Sequence, residues 1–325
     1  MKAEIKPRIN FEGRTRLEEV IPLSTPYLVF LDPSDKCNAK CQWCPTGSGE
    51  IKKYRKQGVM DFDLYCKIID DLAAMPESIK TLRLYAFGEP LMNPRFPDMV
   101  RYAKNTDRFG QIDTTTNALL LNATLTHNIW ASGLDKIFVS VPQNYSEEYI
   151  ADVKFFYETA QFFKSANSDG QREIFVKIIG DGLIGAVKDK FFQDFGNICD
   201  FINIEYLAPC WPNYKVGKIG DKGIYGQEII KEVQVCPYIF YSLTINSDGV
   251  VSLCFLDWKK EMVMGDLKRE SFKDIWNSIT IRAVRLLNLR GKQKYMLNSC
   301  YNCGQLKYGA PDNIDEYAEE ILRRL

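Results

Sequence analysis

From about residue 26 to residue 207 the chain repeats one pattern, a short apolar segment followed by an amphipathic one, six times over. The apolar segments read as strands at 27–32, 81–87, 111–117, 136–142, 172–179 and 201–207. Helix starts fall between them. Asp61 is an N-cap, Asn93-Pro94 a cap followed by a first-turn proline, and Asn122 opens a helix that ends before Gly133. Two more start at Ser146 and near Ala186. Strands joined in this way must lie parallel, because a parallel pair needs a helical crossover. About 185 residues are too few for the roughly 250 of an eight-unit barrel, so the pattern predicts an open, partial (β/α)6 barrel of α/β class.

Alternation along the strands separates two faces. One is aliphatic (Leu82, Leu84, Ile137, Val139, Val141, Ile174, Val176, Ile178, Ile202, Ile204) and must meet the helices. The other carries Arg83, Tyr85, Ser140, Lys177, Asn203 and Glu205, which then point into the lumen. Buried polar groups need partners, supplied either by one another and water or by a polar ligand filling the barrel.

Three cysteines, Cys37, Cys41 and Cys44, follow the first strand at C-x3-C-x2-C spacing. Three soft thiolates in so short a loop can wrap one metal cluster and leave a corner of it open. Structural zinc wants four ligands, and no fourth cysteine or histidine lies nearby. The single histidine, His127, sits in a helix, so two-histidine metal sites are excluded and a Ser-His-Asp machine has one poor candidate. Of the 10 cysteines, seven stand in close-spaced or turn-flanked settings. The charged N-terminus (Lys2, Glu4, Lys6, Arg8) has no signal-peptide core, so metal is favoured over disulfides. The 42 basic and 42 acidic residues leave no basic excess for tracking nucleic-acid phosphates. No apolar run approaches the about 18–20 residues of a membrane span. A cytoplasmic protein that meets neither nucleic acid nor membrane is expected.

With these cysteines in place, residues from about 26 to 207 resemble the radical S-adenosylmethionine (SAM) superfamily. The cysteines have that family's position and spacing, and Trp43 fills the aromatic position before the third. Gly88-Glu89-Pro90 ends the second strand, where the family has a GGEP-like segment beside the SAM amino group; Phe87 stands in place of its first glycine. Thr115, Thr116 and Asn117 resemble the family's TTN segment beside SAM, and Ser140 a ribose-contacting position. The resemblance implies a [4Fe–4S] cluster on Cys37, Cys41 and Cys44 with SAM on its open iron. It further implies reductive cleavage of SAM to a 5′-deoxyadenosyl radical that abstracts hydrogen from substrate, and an external one-electron reductant such as flavodoxin or ferredoxin.

A loop-rich bridge, 211–235, leads to a second unit. Tyr241–Ile245, the turn Asn246-Ser247-Asp248-Gly249 and Val250–Phe255 read as a β-hairpin. Helices follow at Phe272–Ser278 and about 280–290, then Cys300-Tyr301-Asn302-Cys303 and an amphipathic tail helix, Asn313–Leu325. Cys236, Cys254, Cys300 and Cys303 suit a zinc ribbon as well as an iron–sulfur cluster. Behind a radical SAM core they resemble the twitch domain, the short form of the SPASM domain, which implies one auxiliary [4Fe–4S] cluster. Four thiolates leave no open corner, so that cluster would take an electron or hold the fold. The expected division is an arm (1–25) packed on the outside, a radical SAM barrel (26–210), the bridge, an auxiliary domain (236–310) and a C-terminal helix (311–325).

Cys66 and Cys199 read as small hydrophobes. Cys210, just past the sixth strand, lies at the barrel mouth, either packed there or as a hydrogen donor to a substrate radical, as in radical epimerases. Lys177, Glu205 and Tyr85 are candidate proton acceptors. The layout is similar to that of 2-deoxy-scyllo-inosamine dehydrogenase. The expected substrate is therefore a sugar, aminocyclitol or nucleotide-sugar, oxidised or epimerised at a carbinol carbon. A radical SAM enzyme modifying a precursor peptide (thioether, cross-link or epimerisation) is the alternative, against which a 25-residue arm is short for a leader-binding domain. A non-catalytic iron–sulfur or zinc protein is the third, against which the open cysteine loop and polar lumen argue.

Overall fold

The computed structural model describes residues 1–166, 172–181, 183–217, 220–230, 233–292 and 297–325. Its strands are β1 (Glu4–Ile5), β2 (Leu28–Leu31), β3 (Ile79–Arg83), β4 (Phe109–Thr116), β5 (Lys136–Val141), β6 (Glu173–Ile179), β7 (Phe201–Glu205), β8 (Ser242–Ile245), β9 (Val250–Ser252) and β10 (Val263–Asp266). They form one sheet in the order β1-β7-β6-β5-β4-β3-β2-β8-β9-β10. β2 to β7 are the six expected strands, each parallel to the next. Helices Phe62–Ala73, Phe96–Lys104, Ala123–Ala131, Glu147–Ala166 and Ala186–Phe195 supply the crossovers.

Local chemistry starts three of these helices as expected. Asp61 accepts from the Asp63 and Leu64 N–H groups, both at 3.1 Å, Asn122 from Leu125 N–H at 3.0 Å, and the Ser146 hydroxyl from Tyr149 N–H at 3.2 Å. Asn93 holds its helix from further ahead than expected, since the helix begins at Phe96 while Asn93 Oδ1 accepts from Arg95 N–H at 3.0 Å. The buried Asn93 amide also donates to the Pro33 and Met60 carbonyls, both at 3.0 Å, and so ties down the segment ahead of the cysteine loop. The aliphatic strand face packs under the helices: Leu82, Val139, Val176 and Ile202 share one core with Ile68, Met99, Ile129, Val153 and Phe195. His127 is exposed and meets the edge of Phe163 at 5.4 Å, with no triad partner shown among the described residues.

β3 stops four residues short of the expected 87. The Leu84 N–H still reaches the Asp113 carbonyl at 2.8 Å, but the chain then bends toward the segment before Cys37. Phe87 N–H donates to Asp32 Oδ2 at 3.3 Å, and Glu89 N–H to the Lys36 carbonyl at 2.8 Å. Gly88 makes the approach possible, since a Cβ there would lie 2.1 Å from the Ser34 carbonyl oxygen and 2.5 Å from that of Lys36.

The sheet also runs past the six strands at both ends. β1 pairs with β7 and β8 pairs with β2, each in parallel, while β9 and β10 continue antiparallel. The expected arm on the outside is thereby corrected, since the arm contributes an edge strand and its residues 8–10 and 12–15 line the space inside. The hairpin is continuous with the barrel sheet, and its second strand ends at Ser252, short of Phe255, so Cys254 and Phe255 turn inward. The tail forms a 3-10 turn, Asp315–Tyr317, and a helix from Ala318 to Arg324, shorter than expected. Cys66 and Cys199 pack in the core, with the Cys199 thiol donating to the Phe195 carbonyl at 3.2 Å. No helix among the described residues is long and apolar enough to cross a membrane.

Two outcomes follow from the β2–β3 junction. Gly88→Ala is expected to cost roughly 1–3 kcal/mol, because the backbone it would strike cannot yield as a side-chain tip can; chemical unfolding measures this. Asp32 is fully buried, and burial first, then nearby Asp35, pushes its carboxyl up to about 7. A proton held in the folded state and lost from the unfolded chain stabilises at low pH and ceases to as pH rises from about 4 to 7. Asp32→Asn should therefore remove that downward slope from a pH series of unfolding measurements; an unchanged slope would show that Asp32 does not titrate there.

Candidate functional site

The loop after β2 holds Cys37, Cys41 and Cys44, all half-buried. It is wound tightly, with Cys44 N–H on the Cys41 carbonyl at 3.2 Å and Ser48 N–H on the Cys44 carbonyl at 3.0 Å. Gly47 lies under Cys41, where a Cβ would come within 2.6 Å of its backbone nitrogen. The Ala39 N–H points at Cys37 Sγ at 3.4 Å. Burial raises all three thiols, Cys37 to about 11, so each needs a strong positive partner to be a thiolate; a metal cluster is such a partner. Tyr214 braces the loop from the bridge by donating to the Gln42 carbonyl at 2.6 Å.

The Gly88–Pro90 segment and the end of β4 close on this loop. The Glu89 carboxylate, 2% exposed, accepts from the Thr116 hydroxyl at 2.6 Å, Asn117 N–H at 2.7 Å and Leu91 N–H at 3.1 Å. Burial raises it to about 7 against those donors. Asn117 in turn donates to Asn38 Oδ1 at 2.8 Å and lies 3.8 Å from Cys37 Sγ. The Thr115 hydroxyl is buried and has no hydrogen-bond partner among the described residues. An orphaned hydroxyl next to the cysteine loop fits a polar cofactor seated there. Pro90 begins a 3-10 turn, and Ser140 lies on β5 opposite Lys177 in the ladder.

The barrel holds a half-open cavity of about 760 Å³ with Trp43 on its wall. Arg83, Tyr85, Lys177 and Glu205 line it, as the alternation implied, whereas Ser140 and Asn203 are not among the described residues on that wall. Two buried ion networks stand in the wall. Arg83 Nε reaches Asp113 Oδ2 at 3.2 Å, and Gln111 donates to the same oxygen at 2.9 Å. Arg8 Nε lies 2.6 Å from Glu205 Oε1, while Lys177 Nζ donates to Glu205 Oε2 at 2.9 Å. Burial alone would push Glu205 up, but Arg8 and Lys177 outweigh it and hold the carboxylate below its usual range.

Sequence reasoning missed Arg8, Asp113 and Tyr225. Asp113 was legible, since alternation puts it on the face of Thr115. Arg8 had no periodic signal, because it lies in an irregular arm.

Cys210 is 6% exposed and lines the cavity; it packs on Ala208, Leu256, Cys254 and Cys303. The Cys303 thiol lies 3.9 Å from the Cys210 carbonyl. Burial raises Cys236 and Cys254, and each is raised further by the other cysteines of its set, so the four thiols form one group. Backbone N–H groups of Leu256 and Gln305 point at Cys254 Sγ at 3.5 Å and Cys303 Sγ at 3.4 Å. Buried Asn288 pins Cys236 at both its N–H (3.1 Å) and its carbonyl (2.9 Å). At Gly304 a Cβ would sit 2.2 Å from the Pro209 carbonyl, so the CxxC turn is pressed against the barrel mouth. Among the described residues no three His, Cys, Asp or Glu side chains converge on a single metal ion. A cubic cluster asks for a wider spread, with one thiolate at each corner.

Comparison with known proteins matches residues 236–304 to the SPASM family, an iron–sulfur cluster-binding domain. Over 113 residues the chain is 33% identical to the tungsten-containing aldehyde ferredoxin oxidoreductase cofactor-modifying protein of Pyrococcus furiosus, an alignment spanning 35% of this chain and 30% of that one. The match thus spans about a third of the curated relative's length. Among solved structures, BtrN in complex with AdoMet and 2-DOIA superposes with a TM-score of 0.58 at 17% identity, over 89% of this chain and 97% of BtrN. Streptococcus suis SuiB bound to precursor peptide SuiA gives 0.58 at 13% identity, over 90% and 72%. An iron–sulfur cluster-binding domain of the SPASM family thus follows a parallel half-barrel that begins on a three-cysteine loop, the fold that BtrN and SuiB share with this chain, and this supports the resemblance to radical SAM enzymes.

Proposed function

We propose that the chain is a radical SAM enzyme acting on a small polar substrate, a sugar, aminocyclitol or nucleotide-sugar, which it oxidises or epimerises at a carbinol carbon. One observation carries this reading: a cavity of about 760 Å³, charged groups set among aromatic ones in its wall, that has Trp43 of the first cysteine loop and Cys210, packed on the second cysteine set, on the same wall. That volume suits a small molecule. In support, BtrN, matched over 97% of its length, was solved with 2-DOIA. SuiB, solved with a peptide, keeps peptide modification as the rival.

Cys37, Cys41 and Cys44 would hold a SAM-binding [4Fe–4S] cluster, and Cys236, Cys254, Cys300 and Cys303 an auxiliary one. With SAM bound, these groups supply the electron, the 5′-deoxyadenosyl radical and a sink for an electron given up by substrate. The chain's own residues do the placing. The unpartnered Thr115 hydroxyl, Asn117 and the backbone at Gly88 would meet SAM, with Trp43 and Ser140 at its margins. Glu89 acts one step back, since its carboxylate is spent on Thr116, Asn117 and Leu91 and fixes the end of β4. Lys177 and Glu205 neutralise each other, so a proton could pass to either only by breaking that pair; their better part is to hold the substrate's polar groups. This leaves the Tyr85 phenol, beside Arg8 and Arg83, as the proton acceptor that no ion pair occupies. Cys210 is the hydrogen donor if the reaction returns an atom.

Anaerobic reconstitution with deuterium-labelled candidates, following label into 5′-deoxyadenosine, tests the reading; label from no small polar substrate but from a peptide would transfer it to the rival. Replacing Cys37, Cys41 and Cys44 by alanine should remove about half the iron and all SAM cleavage, measured as 5′-deoxyadenosine under dithionite. Surviving cleavage would refute the assignment. Cys210→Ala separates the two chemistries, because an oxidation survives it, whereas an epimerisation stops for want of a returned hydrogen.

A further inference from the structure

The charges around the cavity do not balance where they are buried. Its wall carries Arg8, Arg14, Lys80, Arg83, Lys136 and Lys177 against Glu12, Glu205 and Asp312. Three of the cations have a carboxylate of their own: Arg14 with Asp312 at 3.0 Å, Arg83 with Asp113 at 3.2 Å, and Lys136 with Glu173 at 2.8 Å. Lys80 and Glu12 are exposed, of opposite sign and open to screening by solvent. Glu205 is different. Arg8 Nε approaches one of its oxygens to 2.6 Å, though neither atom has a hydrogen-bond partner among the described residues, and Lys177 donates to the other oxygen at 2.9 Å; the Glu205 side chain is 2% exposed and that of Lys177 9%. Among the side chains of the wall, two cations thus share one carboxylate and leave one positive charge over.

Both cations line the cavity, and the Arg8 guanidinium lies over the Tyr225 ring at 5.6 Å. The planar fork of a guanidinium pairs two-pronged with an oxyanion, which a lysine ammonium does not. Arg8 is also the only one of the pair brought from outside the barrel.

We propose that Arg8, carried into the cavity by the N-terminal arm, binds an anionic group of the substrate, a phosphate or a carboxylate. The inference rests on reading the cavity as the substrate site, and it narrows the substrate to a sugar-type molecule bearing acid. Anion binding and SAM cleavage are separate measurements, so the failure of one leaves the other standing.

The test is thermal unfolding of the reconstituted full chain, with SAM present and at constant ionic strength. Chloride is exchanged for inorganic phosphate or for glutarate, with glycerol as the neutral control. One or both anions should raise the midpoint over chloride, by roughly 2 °C at tenfold the dissociation constant. Arg8→Gln should abolish the rise and Arg8→Lys keep part of it. Glu205→Gln, which frees a second cation, should enlarge it, an effect that a merely structural arginine would not produce. Arg16→Gln, in an arm residue paired with Glu18 at 2.8 Å and off the cavity wall, should respond as wild type. A rise with phosphate alone marks a phosphate ester, and with glutarate alone a carboxylate. The proposal falls if neither anion acts, if Arg8→Gln responds as wild type, or if the rise appears only without SAM, which would assign the site to the SAM carboxylate.

Discussion

The parallel ladder between β2 and β8, from Leu28 opposite Ser242 to Leu31 opposite Ile245, is the pairing on which both cysteine sets depend. β2 leads directly into the loop of Cys37, Cys41 and Cys44. β8 turns back through Gly249, in the left-handed region at φ 83°, into antiparallel β9 and then Cys254. The two sets therefore leave one ladder in opposite directions, about a strand's length apart, with the cavity beside them. Without this pairing the C-terminal unit would be a tethered satellite. With it, backbone hydrogen bonds tie β2, which leads to the first set, to β8 and β9, which lie between Cys236 and Cys254 of the second.

Buried polar groups do the finer positioning. Glu89 joins the turn after β3 to the end of β4, and Asp32 joins the end of β2 to Phe87 and, through its own N–H, to the Ile245 carbonyl at 2.9 Å. Arg55 extends the same network, donating to Asn246 Oδ1 at 2.7 Å and lying over the Phe87 ring at 4.1 Å. These groups carry no chemistry of their own. Each is buried and would be costly to leave unpaired, so each admits few arrangements of the loops it connects.

What could be read in advance follows from how far each signal reaches along the chain. The strand and helix periods, the caps Asp61 and Asn122 and the Asn246–Gly249 turn are local, and the fold followed them. β3 misled because Tyr85 and Phe87 continue the alternation of a strand, while Gly88 obeys a contact with Ser34 that no local pattern reveals. Asn93 misled only in position, since a residue read as the helix cap is also committed to the carbonyls of Pro33 and Met60. In the site, the cysteines and the Glu89–Asn117 pairing lie on motifs of fixed spacing. Arg8, Tyr225 and Asp312 reach the cavity from three remote segments, and nothing in their neighbourhoods announces it.

That division has a physical origin. A half-barrel has an open side, and its lumen can exclude water only if something else covers it. Here the arm does so, running from β1 at the sheet edge to Arg14, which donates to the Ala310 carbonyl at 3.2 Å and pairs with Asp312. The covering segments thus become walls of the cavity. The strand-end loops, bound by ladders and buried carboxylates, are constrained to one geometry. The arm is constrained only to cover, so its side chains are free to match whatever lies beneath. Arg8 and its neighbours in the arm can therefore change while the cysteine loop stays as it is.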